Sequence, residues 1–92
     1  MKLKDSFIQA ELGGETLLVP VSSGKEEFHG VIRLNETAAL IVDRLRQDVT
    51  EEDLVNALTD NYDVARDEAK KHVRAVLEKL QTVNALTGAE NL

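Results

Sequence analysis

The fold of this 92-residue chain is decided at residues 31–38, which are Val31-Ile32-Arg33-Leu34-Asn35-Glu36-Thr37-Ala38. Before this segment the apolar residues form short blocks separated by turn residues, and after it they recur every three or four positions. Such a change in spacing indicates a change from strands to helices. Asn35 is a favoured N-cap residue, and Glu36 suits the positive end of a helix dipole. The sequence therefore predicts a strand that ends at Leu34 and leads directly into a helix.

Three short strands are predicted up to Leu34. The first contains Phe7, Ile8, Ala10 and Leu12, and the second covers residues 16–21. Gly13 and Gly14 between them suit a two-residue hairpin turn, because both can adopt positive φ. Pro20 cannot donate to a strand ladder, so we expect it at a strand end or a sheet edge. A polar loop over residues 22–27 should precede the third strand, residues 31–34.

Three helices are predicted after Leu34. Thr50 with Asp53 forms a variant of the capping box at the start of the second helix, and Asp63 is a candidate cap for the third. The apolar faces of the three helices contain Ala38, Ile41, Val42 and Leu45, then Leu54, Val55, Leu58 and Tyr62, and finally Ala69, Val73, Val76, Leu77, Leu80 and Val83. The order predicts an α+β fold, a three-stranded antiparallel sheet followed by three packed helices. We expect one domain over residues 1–92, ordered from about 7 to 86, with a frayed tail after Gly88.

Two features of this layout suggest a binding surface. The strand over residues 31–34 carries only Arg33 as a charge, so its edge is not protected against pairing with another chain. In the third helix, Arg66, Lys70 and Arg74 recur every four residues along one flank of the apolar stripe. The two features together indicate a groove that attracts an acidic ligand and buries its apolar side chains. An ordinary solvated helix face is the alternative interpretation of the three basic residues.

The composition narrows the possible functions. Lys plus Arg number 11 against 17 for Asp plus Glu, and the net charge of −6 disfavours nucleic acid and anionic membranes as partners. No cysteine is present, which excludes disulfides and fits a cytoplasmic location. His29 and His72 have neither catalytic nor metal-ligand spacing. The apolar runs are too short to cross a membrane. We expect no catalytic residue, no metal and no cofactor, and therefore a protein that is not an enzyme.

The segment from Phe28 to Ala39, Phe28-His29-Gly30-Val31-Ile32-Arg33-Leu34-Asn35-Glu36-Thr37-Ala38-Ala39, resembles the PqqD-like family. This family is named for the small D protein of pyrroloquinoline quinone biosynthesis. The resemblance continues through Thr50-Glu51-Glu52-Asp53-Leu54, Leu58-x-x-x-Tyr62 and Val73-x-x-x-Leu77-x-x-Leu80, and it covers roughly residues 7–86. The chain departs from the family pattern near Val42, where an aromatic residue is common, and at Asn84, where glycine is common.

The resemblance implies a winged helix-turn-helix-like fold and a role in natural product biosynthesis. Members act as recognition elements, or peptide chaperones, for ribosomally synthesised and post-translationally modified peptides. They bind the leader segment of a precursor and present it to a modifying enzyme, often a radical S-adenosylmethionine (SAM) maturase. In the family, the leader adds a strand to the third strand, beside the third helix. The residues expected to bind the leader here are Val31, Ile32, Arg33, Leu34, Arg66, Lys70, Val73, Arg74 and Leu77.

Two other functions fit the same pattern. A winged helix can bind DNA, and Arg66, Lys70, Lys71, Arg74 and Lys79 would supply the basic residues, although the net negative charge and the acidic second helix argue against it. The open strand edge could also serve a structural adaptor or a homodimer by pairing with a second copy.

Overall fold

The computed structural model describes residues 1–5, 7–20, 31–83 and 85–87. Its elements in chain order are β1 (Lys2–Leu3), β2 (Phe7–Leu12), β3 (Glu15–Pro20), β4 (Ile32–Leu34), α1 (Glu36–Arg44), α2 (Glu51–Asn61), α3 (Arg66–Thr82) and β5 (Leu86–Thr87). The predicted polar loop over residues 22–27, His29 and the tail after Gly88 lie outside the described residues.

The predicted antiparallel sheet is confirmed, with strand order β2-β3-β4. Leu12 pairs with Glu15, and the two residues between them, Gly13 and Gly14, have φ values of 60° and 82°. The hairpin turn therefore uses the positive φ that only glycine adopts readily. Pro20 ends the central strand, as predicted, and lies opposite Phe7. β4 pairs with the first half of β3 and forms an edge of the sheet.

The caps predicted for the first two helices are present. The backbone N–H of Ala38 donates to Oδ1 of Asn35 at 2.8 Å, directly after β4. At α2, the N–H of Asp53 donates to Oγ1 of Thr50, and the N–H of Thr50 donates to Oδ2 of Asp53, which completes the capping box. None of the helices in the described ranges has the length and apolar character needed to cross a bilayer.

The cap predicted for the third helix was wrong. α3 begins after Ala65, which makes no side-chain cap hydrogen bond. The chain leaves α2 in an extended conformation at Tyr62, and the N–H of Val64 donates back to the carbonyl of Tyr62. Asp63 therefore lies in the turn between the helices, two residues before the N-cap position.

The core is aliphatic, as the scarcity of aromatic residues requires. The sheet contributes Phe7, Leu18 and Ile32 from one of its faces. The side chains that are almost completely inaccessible to solvent come mostly from the three helices: Ile41, Val42, Leu45, Leu54, Val55, Leu58, Val73 and Leu80. The three helices therefore pack together against one face of the sheet.

A second, two-stranded sheet was not predicted. β1 pairs antiparallel with β5, with Leu3 opposite Leu86. The N–H of Leu3 donates to the carbonyl of Leu45 after α1, and the N–H of Lys4 donates to the carbonyl of Ala85 after α3, both at 2.8 Å. The ammonium group of Met1 bonds to Asp48 and lowers the pKa of that carboxyl. The first residues of the chain thus connect the ends of two helices. The sequence had predicted that the ordered core begins only at about residue 7.

Removal of the α1 cap should destabilise the fold measurably. Asn35→Ala leaves the Ala38 N–H without its side-chain acceptor, which typically costs about 1 kcal/mol of unfolding free energy. Urea unfolding followed by far-ultraviolet circular dichroism measures the change. Asn35→Asp retains an acceptor and should stay close to the parent protein. Equal stability of Asn35→Ala and the parent would show that this cap contributes nothing.

Candidate functional site

A groove lies between β4 and α3. It has a volume of about 620 Å³ and is bordered by Val31, Ile32 and Arg33 from the sheet. The α3 side consists of residues at the C-terminal half of the helix and just after it: Ala75, Glu78, Lys79, Thr82 and Val83. Among the described residues, β4 pairs only with β3. The other edge of β4 therefore keeps backbone donors and acceptors that a further strand could use.

The four predicted strand residues divide by the alternation of the strand. Ile32 is buried in the core, and Leu34 packs against the core while partly exposed. Val31 and Arg33 are exposed and lie on the opposite face. Nε of Arg33 forms an ion pair with Oε1 of Glu15 at 3.2 Å. Three of the four residues border the groove, and Leu34 lies beyond its end.

The helix side of the groove differs from the predicted one. Val73 is fully buried and Leu77 nearly so, and both belong to the core rather than to the groove lining. Val73 has no solvent-exposed surface in this structure, and its contact with a peptide, like that of Leu77, stays a prediction. Ala75 and Lys79 were missed as lining residues, because they lie on a flank of α3 that the apolar stripe alone does not distinguish from the opposite flank. Val83 was predicted on the apolar face but not as part of the groove.

The basic flank of α3 faces α2. Arg66 donates to Oδ1 of Asn56 at 2.9 Å and to Oε2 of Glu52 at 3.4 Å. Nε of Arg74 donates to Oε2 of Glu51 at 3.0 Å. Arg74 and Lys79 point about 140° apart around the helix, since each residue turns it by ~100°. The structure therefore does not bring Arg66 or Arg74 together with β4, and their contact with a peptide, like that of exposed Lys70, stays a prediction.

Of the described residues, Arg33, Glu78 and Lys79 are the charged ones that border the groove. Basic groups thus stand on both of its sides, one on β4 and one on α3. Lys79 is recognisable in the sequence as the last basic residue of the helix. It was not assigned to the groove, because its angular position separates it from Arg66, Lys70 and Arg74, which repeat every four residues.

A strand edge that the described residues leave unpaired, beside a groove, is typical of domains that bind extended peptides. Residues 15–86 match the family model described as Coenzyme PQQ synthesis protein D (PqqD), and the chain belongs to this family.

Two solved structures share the fold over nearly the whole chain. TbiB1 in complex with the TbiA(beta) leader peptide has a TM-score of 0.74 and 24% sequence identity, and covers 96% of both chains. Lasso peptide synthetase B1 complexed with the leader peptide has a TM-score of 0.67 and 30% identity, and covers 88% of this chain and 89% of that one. No curated protein sequence matches the chain significantly. The predicted family resemblance and α+β fold are confirmed.

These findings do not favour DNA binding. In α3, two of the basic side chains that a recognition helix would direct at phosphates are instead paired with acceptors on α2. Residues 48–63, which include α2, contain six acidic residues and neither Lys nor Arg. A phosphate backbone against α3 would approach these carboxylates, which opposes binding.

The ion pair between α2 and α3 can be tested by charge exchange. Arg74→Glu places a carboxylate against Glu51 and should lower the free energy of unfolding by up to about 1 kcal/mol at low salt, because the pair is largely exposed. The double variant Arg74→Glu, Glu51→Arg should recover most of this loss. Urea unfolding at low and high salt measures both effects. If the double variant is no more stable than Arg74→Glu, the two side chains do not interact as described.

Proposed function

We propose that this domain binds the leader of a ribosomally synthesised precursor peptide as an added strand on β4 and presents the precursor to a modifying enzyme. The edge of β4 that no described residue pairs with, beside a groove bordered by α3, carries this proposal. It is supported by the family of the chain and by the two similar structures, both of which are complexes with a leader peptide. In this role the domain is a non-catalytic peptide chaperone.

The length of β4 sets how the leader binds. A strand of three residues offers about three net hydrogen bonds at ~1 kcal/mol each, which does not exceed the cost of association, at least ~4 kcal/mol. Backbone pairing alone therefore gives no useful affinity. Apolar leader side chains in the groove would supply the rest, at about 2 kcal/mol for each one that is fully buried. We therefore expect a leader with two or three apolar residues spaced to enter the groove.

Individual basic residues at the groove would favour acidic residues in the leader. Arg33 and Lys79 stand on its two sides, although Arg33 pairs with Glu15 and Glu78 also borders the groove. Contacts of this kind select the orientation of a charged ligand more than they increase the overall affinity. The predicted role of Arg66, Lys70 and Arg74 is retained only at longer range, because Arg66 and Arg74 are paired with α2.

The partner enzyme follows from the family and is part of the proposal. A radical SAM maturase is the first candidate. One similar structure is named lasso peptide synthetase B1, so a component of a peptide-synthetase system is a second candidate. Both would act with this domain in the cytoplasm, on a precursor made by the ribosome.

Filling the groove should block leader binding without disturbing the core. Ala75 is exposed and borders the groove, so Ala75→Trp should weaken binding at least about tenfold by occupying the site of an apolar leader side chain. Fluorescence anisotropy measures the affinity, with a labelled candidate leader peptide as the probe.

The matched control for this variant is Gln81→Trp. Gln81 is exposed on the same helix but lies on the flank that bears Arg74. Its affinity should remain within about twofold of the parent protein, because the groove is untouched. Equal affinities for the two tryptophan variants would place the binding site elsewhere.

Charge reversal can rank the basic residues by their contribution to leader binding. Lys79→Glu should weaken binding of an acidic leader several-fold at low salt and much less at high salt, because salt screens exposed charges. Lys70→Glu makes the same charge change on the flank directed toward α2 and should have the smaller effect. If Lys70→Glu weakens binding as much as Lys79→Glu or more, the basic flank contacts the leader as the sequence predicted.

A further inference from the structure

The outward face of the three-stranded sheet is apolar. The register aligns Ile8 with Val19, Ala10 with Leu17, and Leu17 with Arg33, so these residues share the face opposite the core residues Phe7, Leu18 and Ile32. Side-chain alternation adds two more apolar residues to it. We call this set the outer sheet face; its apolar members are Ile8, Ala10, Leu12, Leu17, Val19 and Val31.

The most exposed large apolar side chains among the described residues all lie on the outer sheet face. Leu12 is 70% exposed, Val31 54% and Ile8 48%, and no other large hydrophobic residue in the described ranges is exposed. Within the part of the chain that the structure describes, the charged residues on this face are Arg33 and Glu15, which pair with each other. A cluster of exposed apolar side chains with few charges marks an interaction site.

The outer sheet face is continuous with the groove. Val31 and Arg33 project onto this face and also border the groove between β4 and α3. A leader added to β4 would become a fourth strand, and every second leader side chain would extend the outer sheet face. A protein that covers this face would therefore touch the domain and the bound leader together.

The size of the face argues against a second copy of the chain as the occupant. Three strands of up to six residues cover only about 300 Å². Stable complexes typically bury ~800 Å² on each partner. Self-association through this face alone would be weak, whereas a partner that also contacts a leader strand and the precursor beyond it gains the missing area.

We infer that the outer sheet face is the docking surface for the enzyme that modifies the precursor, and that this enzyme binds it most tightly when a leader occupies β4. The inference rests on the proposed function. The enzyme should offer an apolar patch of similar size, because a charged surface would lose solvation against Ile8, Leu12 and Val31. By linkage, the enzyme must then strengthen leader binding by the same factor as the leader strengthens enzyme binding.

The test uses Leu12→Glu, with Ile8→Thr as a second variant that preserves strand propensity. The probes are a candidate precursor peptide that the parent domain binds and the purified enzyme that modifies it. Both variants should bind the leader within about twofold of the parent protein, because neither residue borders the groove. The kcat/KM for precursor modification should fall at least about tenfold with Leu12→Glu. Gln81→Glu, a charge change on exposed α3 surface, should leave both quantities unchanged.

The outcomes separate the two proposals. Normal leader binding with unchanged kcat/KM in both variants would overturn the docking surface alone. Failure of the parent domain to bind the leader would overturn the proposed function and, with it, this inference. Sedimentation velocity provides a third outcome: if the parent protein dimerises and Leu12→Glu is monomeric, a second copy occupies the face and the inference is wrong.

Discussion

The proposed peptide site depends on one constraint: β4 is hydrogen-bonded to β3 on one side, and none of the described residues completes the sheet on the other. An open strand edge favours aggregation unless it is short, protected or occupied. Here the edge is only three residues long, and α3 stands beside it at the far side of a groove. This arrangement limits uncontrolled pairing with other sheets while leaving room for a single extended chain. Under the proposed function, the same shortness would make the groove side chains, rather than the backbone, the source of affinity and selectivity.

The position of α3 determines the width of the groove, and contacts outside the groove hold α3 in this position. Arg66 and Arg74 connect the helix to α2, and four core residues fix its inner face. At its C-terminal end, where Thr82 and Val83 border the groove, the following residues Ala85 and Leu86 are bonded to the N-terminal segment of the chain. The unpredicted pair of β1 and β5 thus ties the chain directly after α3 to the N-terminal segment.

The sequence predicts the elements better than it predicts the site. The elements follow from local signals: the change in apolar spacing after Leu34, the Gly13-Gly14 turn, and the caps at Asn35 and Thr50. The structure shows the two positive φ values of the turn and the hydrogen bonds of both caps. β1 and β5 could not be predicted, because two-residue strands carry no periodic pattern. The helix residues that line the groove could not be predicted for a different reason. A helical wheel gives the angles between Val73, Arg74 and Lys79, but only tertiary packing determines that α2 lies on one flank and β4 on the other.

The most direct test of the central claim is to observe the guest strand itself. Nuclear Overhauser effects between an isotope-labelled leader and the differently labelled domain report backbone proximity across paired strands. We predict cross-strand contacts between leader backbone protons and those of Ile32, Arg33 and Leu34, accompanied by side-chain contacts to Ala75 and Val83. A bound leader that contacts α2 or the basic flank of α3, with no cross-strand contact to β4, would contradict the account.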